Sequence, residues 1–133
     1  ATVILKYSVK LSDVDDIVES ALDGLQALEK VKQNVVNNDF KICSYDLILM
    51  DCNMPFMDGY ESTDKIRSFL YEQNIPQPII LAVTGHTETK YVDRAINCGM
   101  NKVLSKPIPT DILKKIVVEL NFKIKQEPSL VRI

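Results

Sequence analysis

Three reactive side chains, those of Asp51, Thr84 and Lys106, each follow or end a short, mostly apolar run of the sequence. A carboxylate nucleophile, a hydroxyl and an ammonium group together suit a site that takes up and holds a phosphoryl group. Each residue alone has a plainer explanation, as a turn former, a helix cap or a solvated loop residue. Their combination after three successive apolar runs favours the phosphoryl site.

The segments between these residues alternate between strand-like and helix-like patterns from residue 17 onward. Such alternation is typical of βαβ units around a parallel sheet. In an open parallel sheet, ligands bind at the carboxyl ends of the strands, which would bring the three reactive side chains together. The predicted strands are Ile17 to Ala21, Tyr45 to Met50, Ile79 to Val83, and Val103 with Leu104.

Helices are predicted between these strands from apolar residues at helical spacing. They end near Asn38, before Pro76, at Gly99 and near residue 121. Thr87 and Thr110 are plausible N-caps for the last two helices. Asp58 is expected to be a turn residue beside Gly59.

Composition narrows the class of protein further. The 133 residues are 46% hydrophobic and carry a net charge of -2, as expected of one soluble, intracellular α/β domain with a single core. Without a cluster of basic residues, nucleic acid is a poor candidate ligand. The apolar runs are too short to insert into a membrane. Cys43, Cys52 and Cys98 fit neither a disulfide framework nor a metal site.

The run from Asp46 to Glu61, Asp-Leu-Ile-Leu-Met-Asp-Cys-Asn-Met-Pro-Phe-Met-Asp-Gly-Tyr-Glu, resembles the receiver domains of response regulators and hybrid histidine kinases. That family also has a Thr among small residues after the next strand, as in Ala-Val-Thr-Gly at 82–85, and a Lys-Pro pair after the last, as at 106–107. The resemblance covers residues 17 to about 121. We therefore expect a receiver domain at 1–121 and a C-terminal tail at 122–133.

The resemblance implies a flavodoxin-like three-layer sandwich, with a central parallel sheet in the strand order 2-1-3-4-5. It implies that Asp51 accepts a phosphoryl group and that Thr84 and Lys106 contact it. Mg²⁺ would bind Asp51 and the backbone carbonyl of Asn53. The peptide bond between Lys106 and Pro107 would be cis.

The same resemblance implies a signalling role rather than an enzymatic one. The phosphoryl donor would be a histidine kinase or a histidine phosphotransfer protein, and the domain would belong to a phosphorelay or a larger protein assembly. Phosphorylation would change the face formed by the fourth helix, fifth strand and fifth helix. A hydrolase of the haloacid dehalogenase type is a weaker interpretation, because its nucleophile is followed two residues later by Asp, whereas position 53 is Asn.

Two features depart from the family. Receivers begin with a strand that ends in two adjacent acids, which hold Mg²⁺, and no such pair is found; Asp15 and Asp16 precede the strand that begins at Ile17. Val103 stands where many receivers have an aromatic switch residue. These departures keep open a second hypothesis, a degenerate pseudo-receiver that acts as a structural or interaction module without phosphotransfer.

Residues 1–14 fit two patterns. Val3, Leu5 and Tyr7 alternate with polar residues as in a strand, yet a helical face can also be drawn through the segment. The resemblance favours the helix, which leaves the central strand missing or divergent, its slot to be filled by residues beyond this sequence, a neighbouring chain or the tail strand Leu130 to Ile133. As a strand, the segment would place Lys6 and Tyr7 where the acids belong.

Overall fold

The computed structural model describes residues 2–6, 18–53, 57–109, 111–116 and 118–119. Five strands and three helices follow one another as β1 (Thr2–Lys6), β2 (Val18–Ala21), α1 (Gly24–Asn37), β3 (Tyr45–Asp51), α2 (Gly59–Glu72), β4 (Ile79–Thr84), α3 (Thr89–Asn97) and β5 (Lys102–Ser105). Residues 111–116 and 118–119 are also helical. Among the described residues, no helix is long and apolar enough to cross a membrane.

The strands form one sheet in the order β2-β1-β3-β4-β5, which confirms the predicted flavodoxin-like arrangement. β3, β4 and β5 run parallel. Alternate residues of β3 enter two apolar clusters, because successive side chains of a strand point to opposite faces. Ile48 and Met50 pack with residues of α1 and α2, whereas Leu47 and Leu49 pack toward the helix at 111–116. The sheet is therefore the middle layer of three.

The central strand β1 differs from the expected arrangement. The prediction that residues 1–14 form a helix is wrong for Thr2–Lys6, which pair antiparallel with both β2 and β3. Residues 7–17 lie outside the described part of the chain, and these eleven residues are all that separate β1 from β2. A parallel connection needs about a dozen residues or more, so a short connection favours the antiparallel direction. The slot is filled by this segment rather than by the tail.

The helix boundaries agree with most of the sequence signals. Asn38 is the C-cap of α1, and Gly99 follows α3 with a φ of 111°, a conformation that suits glycine. The N-cap of α3 is Glu88 rather than Thr87, and its side chain makes no capping hydrogen bond. Thr110 lies outside the described residues.

Arg67 ties the layers together at the edge of the sheet remote from Asp51. From α2, its guanidinium donates hydrogen bonds to the carbonyls of Pro78 at 2.6 Å and Gly99 at 2.8 Å. It also donates to the Asn101 side chain at 2.7 Å, whose oxygen accepts from the Ile80 amide at 2.8 Å. One side chain thereby satisfies backbone carbonyls in the segments that precede β4 and β5.

We expect Arg67→Ala to lower the free energy of unfolding by about 2 kcal/mol, because it removes several charge-assisted hydrogen bonds and leaves carbonyls without their donor. Urea denaturation followed by circular dichroism measures the change. Lys65→Ala, an exposed residue of the same helix, is the matched control and should change stability little. Equal stability of the two variants would show that the Arg67 network does not stabilise the fold.

Candidate functional site

Asp51, Thr84 and Lys106 lie together where three parallel strands end. Asp51 is the last residue of β3 and pairs with Val83, one position before the end of β4. Thr84 pairs with Ser105, which directly precedes Lys106. Because the register aligns these ends, the Nζ atom of Lys106 lies 2.7 Å from the Oδ2 atom of Asp51.

The Asp51 carboxylate is buried, and each of its two oxygens accepts a hydrogen bond. Its Oδ1 atom accepts a hydrogen bond from the backbone N–H of Asn53 at 2.9 Å, and its Oδ2 atom accepts from Lys106. The Lys106 side chain is 42% exposed, so water screens its charge. This geometry holds a carboxylate nucleophile in place beside a partly exposed cation.

The Thr84 hydroxyl is almost fully buried, with the residue 2% exposed. Its Oγ1 atom accepts a hydrogen bond from the backbone N–H of His86 at 3.0 Å. The backbone carbonyl of Thr84 accepts from the Lys106 N–H at 2.9 Å, and the Lys106–Pro107 peptide bond is cis. Thr84 therefore joins the loop after β4 to the residue that carries the ammonium group.

The amino end of α2 packs directly against the backbone of the site. A Cβ atom added to Gly59 would lie 2.2 Å from the Asp51 carbonyl oxygen, and one added to Gly24 would lie 2.4 Å from the Met57 carbonyl oxygen. No side chain fits at either position without a shift of the backbone. The glycines thus allow α1 and α2 to approach the loop after Asp51.

Asp58 has a role that the sequence analysis missed. Its side chain caps α2 by accepting a hydrogen bond from the Glu61 N–H at 2.9 Å, and it lies 3.6 Å from the Arg94 guanidinium. The spacing of Asp58 and Glu61, three residues apart before an apolar helix, is the capping signal that could have identified it.

Arg94 also joins α3 to α2 through an aromatic ring. Its guanidinium lies 4.1 Å from the centroid of the Tyr60 ring. Burial, with a hydrogen bond to the Cys52 thiol, raises the pKa of Tyr60 to about 12. The phenol is therefore neutral at physiological pH, and α3 is attached to the residue that follows Asp51 through Arg94 and Tyr60. Nothing in the spacing of these residues predicted the contact.

The described residues around Asp51 offer few ligands for a divalent metal ion. Among the described residues, no group of three or more His, Cys, Asp or Glu side chains could hold a metal ion. Mg²⁺ commonly binds through one or two carboxylates and keeps several waters. The Asp51 carboxylate and the Asn53 carbonyl fit such a water-rich ion only in part.

β1 contains no acidic residue, and its direction determines which of its ends lies near Asp51. Val3 pairs with Leu49 and Lys6 with Tyr45, so the Thr2 end of β1 lies nearest Asp51. The expectation that Lys6 would occupy the position of the missing acids is wrong. Lys6 pairs with Tyr45 at the start of β3, whereas Asp51 is the last residue of that strand. Tyr7 lies outside the described residues.

A family model described as the response regulator receiver domain matches residues 3–118. The sensor protein EvgS of Escherichia coli O157:H7 is 37% identical over 118 residues, which are 89% of this chain and 8% of that protein. Hybrid signal transduction histidine kinase B of Dictyostelium discoideum is 37% identical over 120 residues, which are 84% of this chain and 6% of that protein. The chain thus spans less than a tenth of these relatives.

Solved structures of receiver domains are also similar to this chain. The receiver domain of the Arabidopsis thaliana histidine kinase CKI1, complexed with Mg²⁺ and BeF₃⁻, has a TM-score of 0.66 and 30% identity, over 77% of this chain and 70% of that chain. A co-crystal of the Saccharomyces cerevisiae histidine phosphotransfer protein Ypd1 with the receiver domain of the response regulator Ssk1 matches with a TM-score of 0.65 and 26% identity, over 77% of this chain and 70% of that chain.

Proposed function

This chain belongs to the family of response regulator receiver domains, and on that premise we propose that it takes a phosphoryl group from a phosphohistidine onto Asp51. The observation that carries the proposal is the contact of 2.7 Å between Lys106 Nζ and Asp51 Oδ2, at an edge where three strands end. A buried carboxylate beside a partly exposed ammonium group is a nucleophile with a cation available to stabilise the incoming charge.

The proposed transfer needs one bond to form and one to break. An oxygen of the Asp51 carboxylate attacks the phosphorus in line, while the P–N bond of the phosphohistidine breaks and the imidazole leaves with its electron pair. Lys106 then exchanges its contact with the carboxylate for one with a phosphoryl oxygen, which its 42% exposure permits. The Thr84 hydroxyl donates to a second phosphoryl oxygen.

Mg²⁺, held by the Asp51 carboxylate and the Asn53 carbonyl, would neutralise charge on the phosphoryl oxygens. The described residues provide only these two ligands, so the remaining positions would be occupied by water or by ligands from elsewhere.

The phosphoryl donor is proposed to be a histidine kinase or a histidine phosphotransfer protein. The similar proteins include a sensor protein and a hybrid histidine kinase, and one similar solved structure contains a phosphotransfer protein. In those relatives the matching region is a small part of a longer protein. We therefore also propose that this domain works within a phosphorelay or a larger signalling protein.

A second candidate function is that of a pseudo-receiver, which uses the fold for binding without phosphotransfer. The lack of a group of acidic ligands around Asp51 among the described residues favours it. A titration with Mg²⁺ and beryllofluoride, followed by NMR peak shifts of Asp51, Thr84 and Lys106, separates the two functions. Saturable shifts support phosphoryl acceptance, whereas unchanged peaks at all three positions support the pseudo-receiver.

We expect Lys106→Ala to reduce the rate of phosphorylation by acetyl phosphate by at least about tenfold, because it removes the cation that stabilises developing charge. Stability should change little, since the side chain is partly exposed. Labelling rates and urea denaturation measure the two effects. Lys102→Ala, an exposed lysine of β5, is the control. Loss of stability without loss of labelling would assign Lys106 a structural role.

A further inference from the structure

Cys52 directly follows the proposed acceptor Asp51, and its backbone and side chain all have hydrogen-bond partners. Its N–H donates to the Val83 carbonyl at 3.1 Å, and its carbonyl accepts from the Gly59 N–H at 3.4 Å. Its thiol forms a hydrogen bond with the phenol of Tyr60, the residue after that glycine. Because Cys52 is only 1% exposed, water does not compete for these contacts.

The peptide group between Cys52 and Asn53 carries one of the two contacts of the Asp51 carboxylate. The carbonyl of this peptide accepts from Gly59, and its N–H, which belongs to Asn53, donates to Asp51 Oδ1 at 2.9 Å. The carbonyl and the N–H of one planar peptide cannot rotate independently, so a tilt of the plane would weaken both bonds at once. The Cys52 side chain is attached to the carbon next to this plane, where its position affects the tilt.

Tyr60 is a firmly held partner for the Cys52 thiol. The residue is 6% exposed, and the Arg94 guanidinium lies 4.1 Å from the centroid of its ring, where a cation is attracted to the aromatic face. Arg94 in turn lies 3.6 Å from Asp58, the N-cap of the helix that carries Tyr60. A hydroxyl on a ring that is fixed in this way loses little conformational freedom when it bonds to the thiol.

The Cys52 thiol is not itself a reactive group. Burial raises its pKa, so the sulfur stays protonated at physiological pH. A protonated thiol is a poor nucleophile and a poor metal ligand. The contribution of Cys52 to the site must therefore come from its hydrogen bonds.

We propose that Cys52 and Tyr60 are positioning residues for the phosphoryl acceptor. The Tyr60 phenol holds the Cys52 side chain, and this fixes the tilt of the peptide that ends in the Asn53 N–H. That N–H holds one oxygen of the Asp51 carboxylate, which leaves the other oxygen facing Lys106. The inference rests on the proposed function in one respect, namely that Asp51 is the group that is phosphorylated.

The first test compares variants that keep or remove the hydrogen bond between the two side chains. Cys52→Ser retains a hydroxyl that can bond to Tyr60, whereas Cys52→Ala does not. We expect Cys52→Ala and Tyr60→Phe each to slow labelling by acetyl phosphate about three- to tenfold, as the loss of one net hydrogen bond implies. Cys52→Ser should stay within about twofold of the wild type. In a Tyr60→Phe background, Cys52→Ser and Cys52→Ala should be labelled at the same rate, because no phenol remains to bond.

The NMR peak of the Asn53 amide reports the positioning without any phosphoryl donor. Its hydrogen bond to the Asp51 carboxylate moves the amide proton downfield, so Cys52→Ala and Tyr60→Phe should shift this peak upfield while Cys52→Ser should not. Tyr71→Phe is the matched control, because it removes a phenol hydroxyl from the same helix at a residue that is 81% exposed. It should change neither the Asn53 peak nor the labelling rate.

The outcomes separate this inference from the proposed function. If Cys52→Ala and Tyr60→Phe lowered the urea midpoint but left the Asn53 peak and the labelling rate unchanged, the pair would be purely structural and the proposal overturned. Equal labelling of Cys52→Ser and Cys52→Ala beside an intact Tyr60 would also overturn it. A wild-type chain that takes up no label, but whose Asn53 peak shifts in both variants, would uphold the positioning of the carboxylate and overturn phosphoryl acceptance.

Discussion

Replacing Asp51 with asparagine will abolish incorporation of acid-labile phosphate from acetyl phosphate. An amide oxygen is too weak a nucleophile to attack phosphorus, whereas the carboxylate lies in place at the end of β3. The fold should remain intact, because asparagine has nearly the same volume and can still accept the Asn53 N–H bond. Phosphate labelling and circular dichroism of the same preparation measure both effects.

The matched control for this prediction is Asp64→Asn, which changes an exposed carboxylate of α2. It should be labelled at the wild-type rate. Labelling of the Asp51→Asn variant at that rate would refute the assignment of the acceptor. A wild-type chain that takes up no label in the presence of Mg²⁺ would instead support the pseudo-receiver.

Gly59→Ala will lower the free energy of unfolding by about 3 kcal/mol or more, the upper range for overpacking of a tight contact. The added methyl group would lie 2.2 Å from the Asp51 carbonyl oxygen and 2.9 Å from the Met50 side chain. The Asp51 backbone and the Met50 side chain would have to move, or the start of α2 would be displaced from the end of β3. Urea denaturation, compared at equal m-value, measures the loss.

Gly85→Ala provides a control of the same chemical change, because its added Cβ atom meets nothing within 4 Å. Its stability should lie within about 0.5 kcal/mol of the wild type. If Gly59→Ala were as stable as Gly85→Ala, the close approach of α2 to Asp51 would not exist in solution.

The Asp51→Asn and Gly59→Ala predictions both concern Asp51, the first its carboxylate and the second the packing against its backbone. Asp51 can act only if the end of β3 holds its carboxylate toward Lys106, and Gly59 at the start of α2 lies in close contact with the Asp51 backbone. We therefore expect Gly59→Ala to reduce phosphate labelling as well as stability, whereas Asp51→Asn should reduce labelling alone.

Much of the fold could be predicted from local sequence patterns. Each buried parallel strand reads as a nearly continuous apolar run, so β3 and β4 were placed to within a residue. The approximate positions of Asp51, Thr84 and Lys106 followed, since a residue after such a run must lie at the carboxyl edge of the sheet. Their chemical types were enough to suggest phosphoryl chemistry.

Contacts between residues far apart in the sequence could not be predicted from local sequence patterns. Asp58 was predicted to be only a turn residue, and its contact with Arg94 joins segments far apart in sequence. The Arg67 network and the clash that excludes a side chain at Gly59 also arise where separate elements meet. The spacing of apolar residues along the chain carries no information about such contacts, because their partners are brought together only by folding.

The sequence by itself determined the alternation of strands and helices and the three reactive residues at strand ends, because both follow from the order of apolar and polar side chains. Only the tertiary structure decided that Thr2–Lys6 form a strand, since strand and helix patterns fit that segment equally, and only it decided the direction of that strand. The slot between β2 and β3 requires backbone hydrogen bonds on both sides, which a helix cannot provide. That requirement favours a strand there, and the eleven residues between it and β2 favour the antiparallel direction.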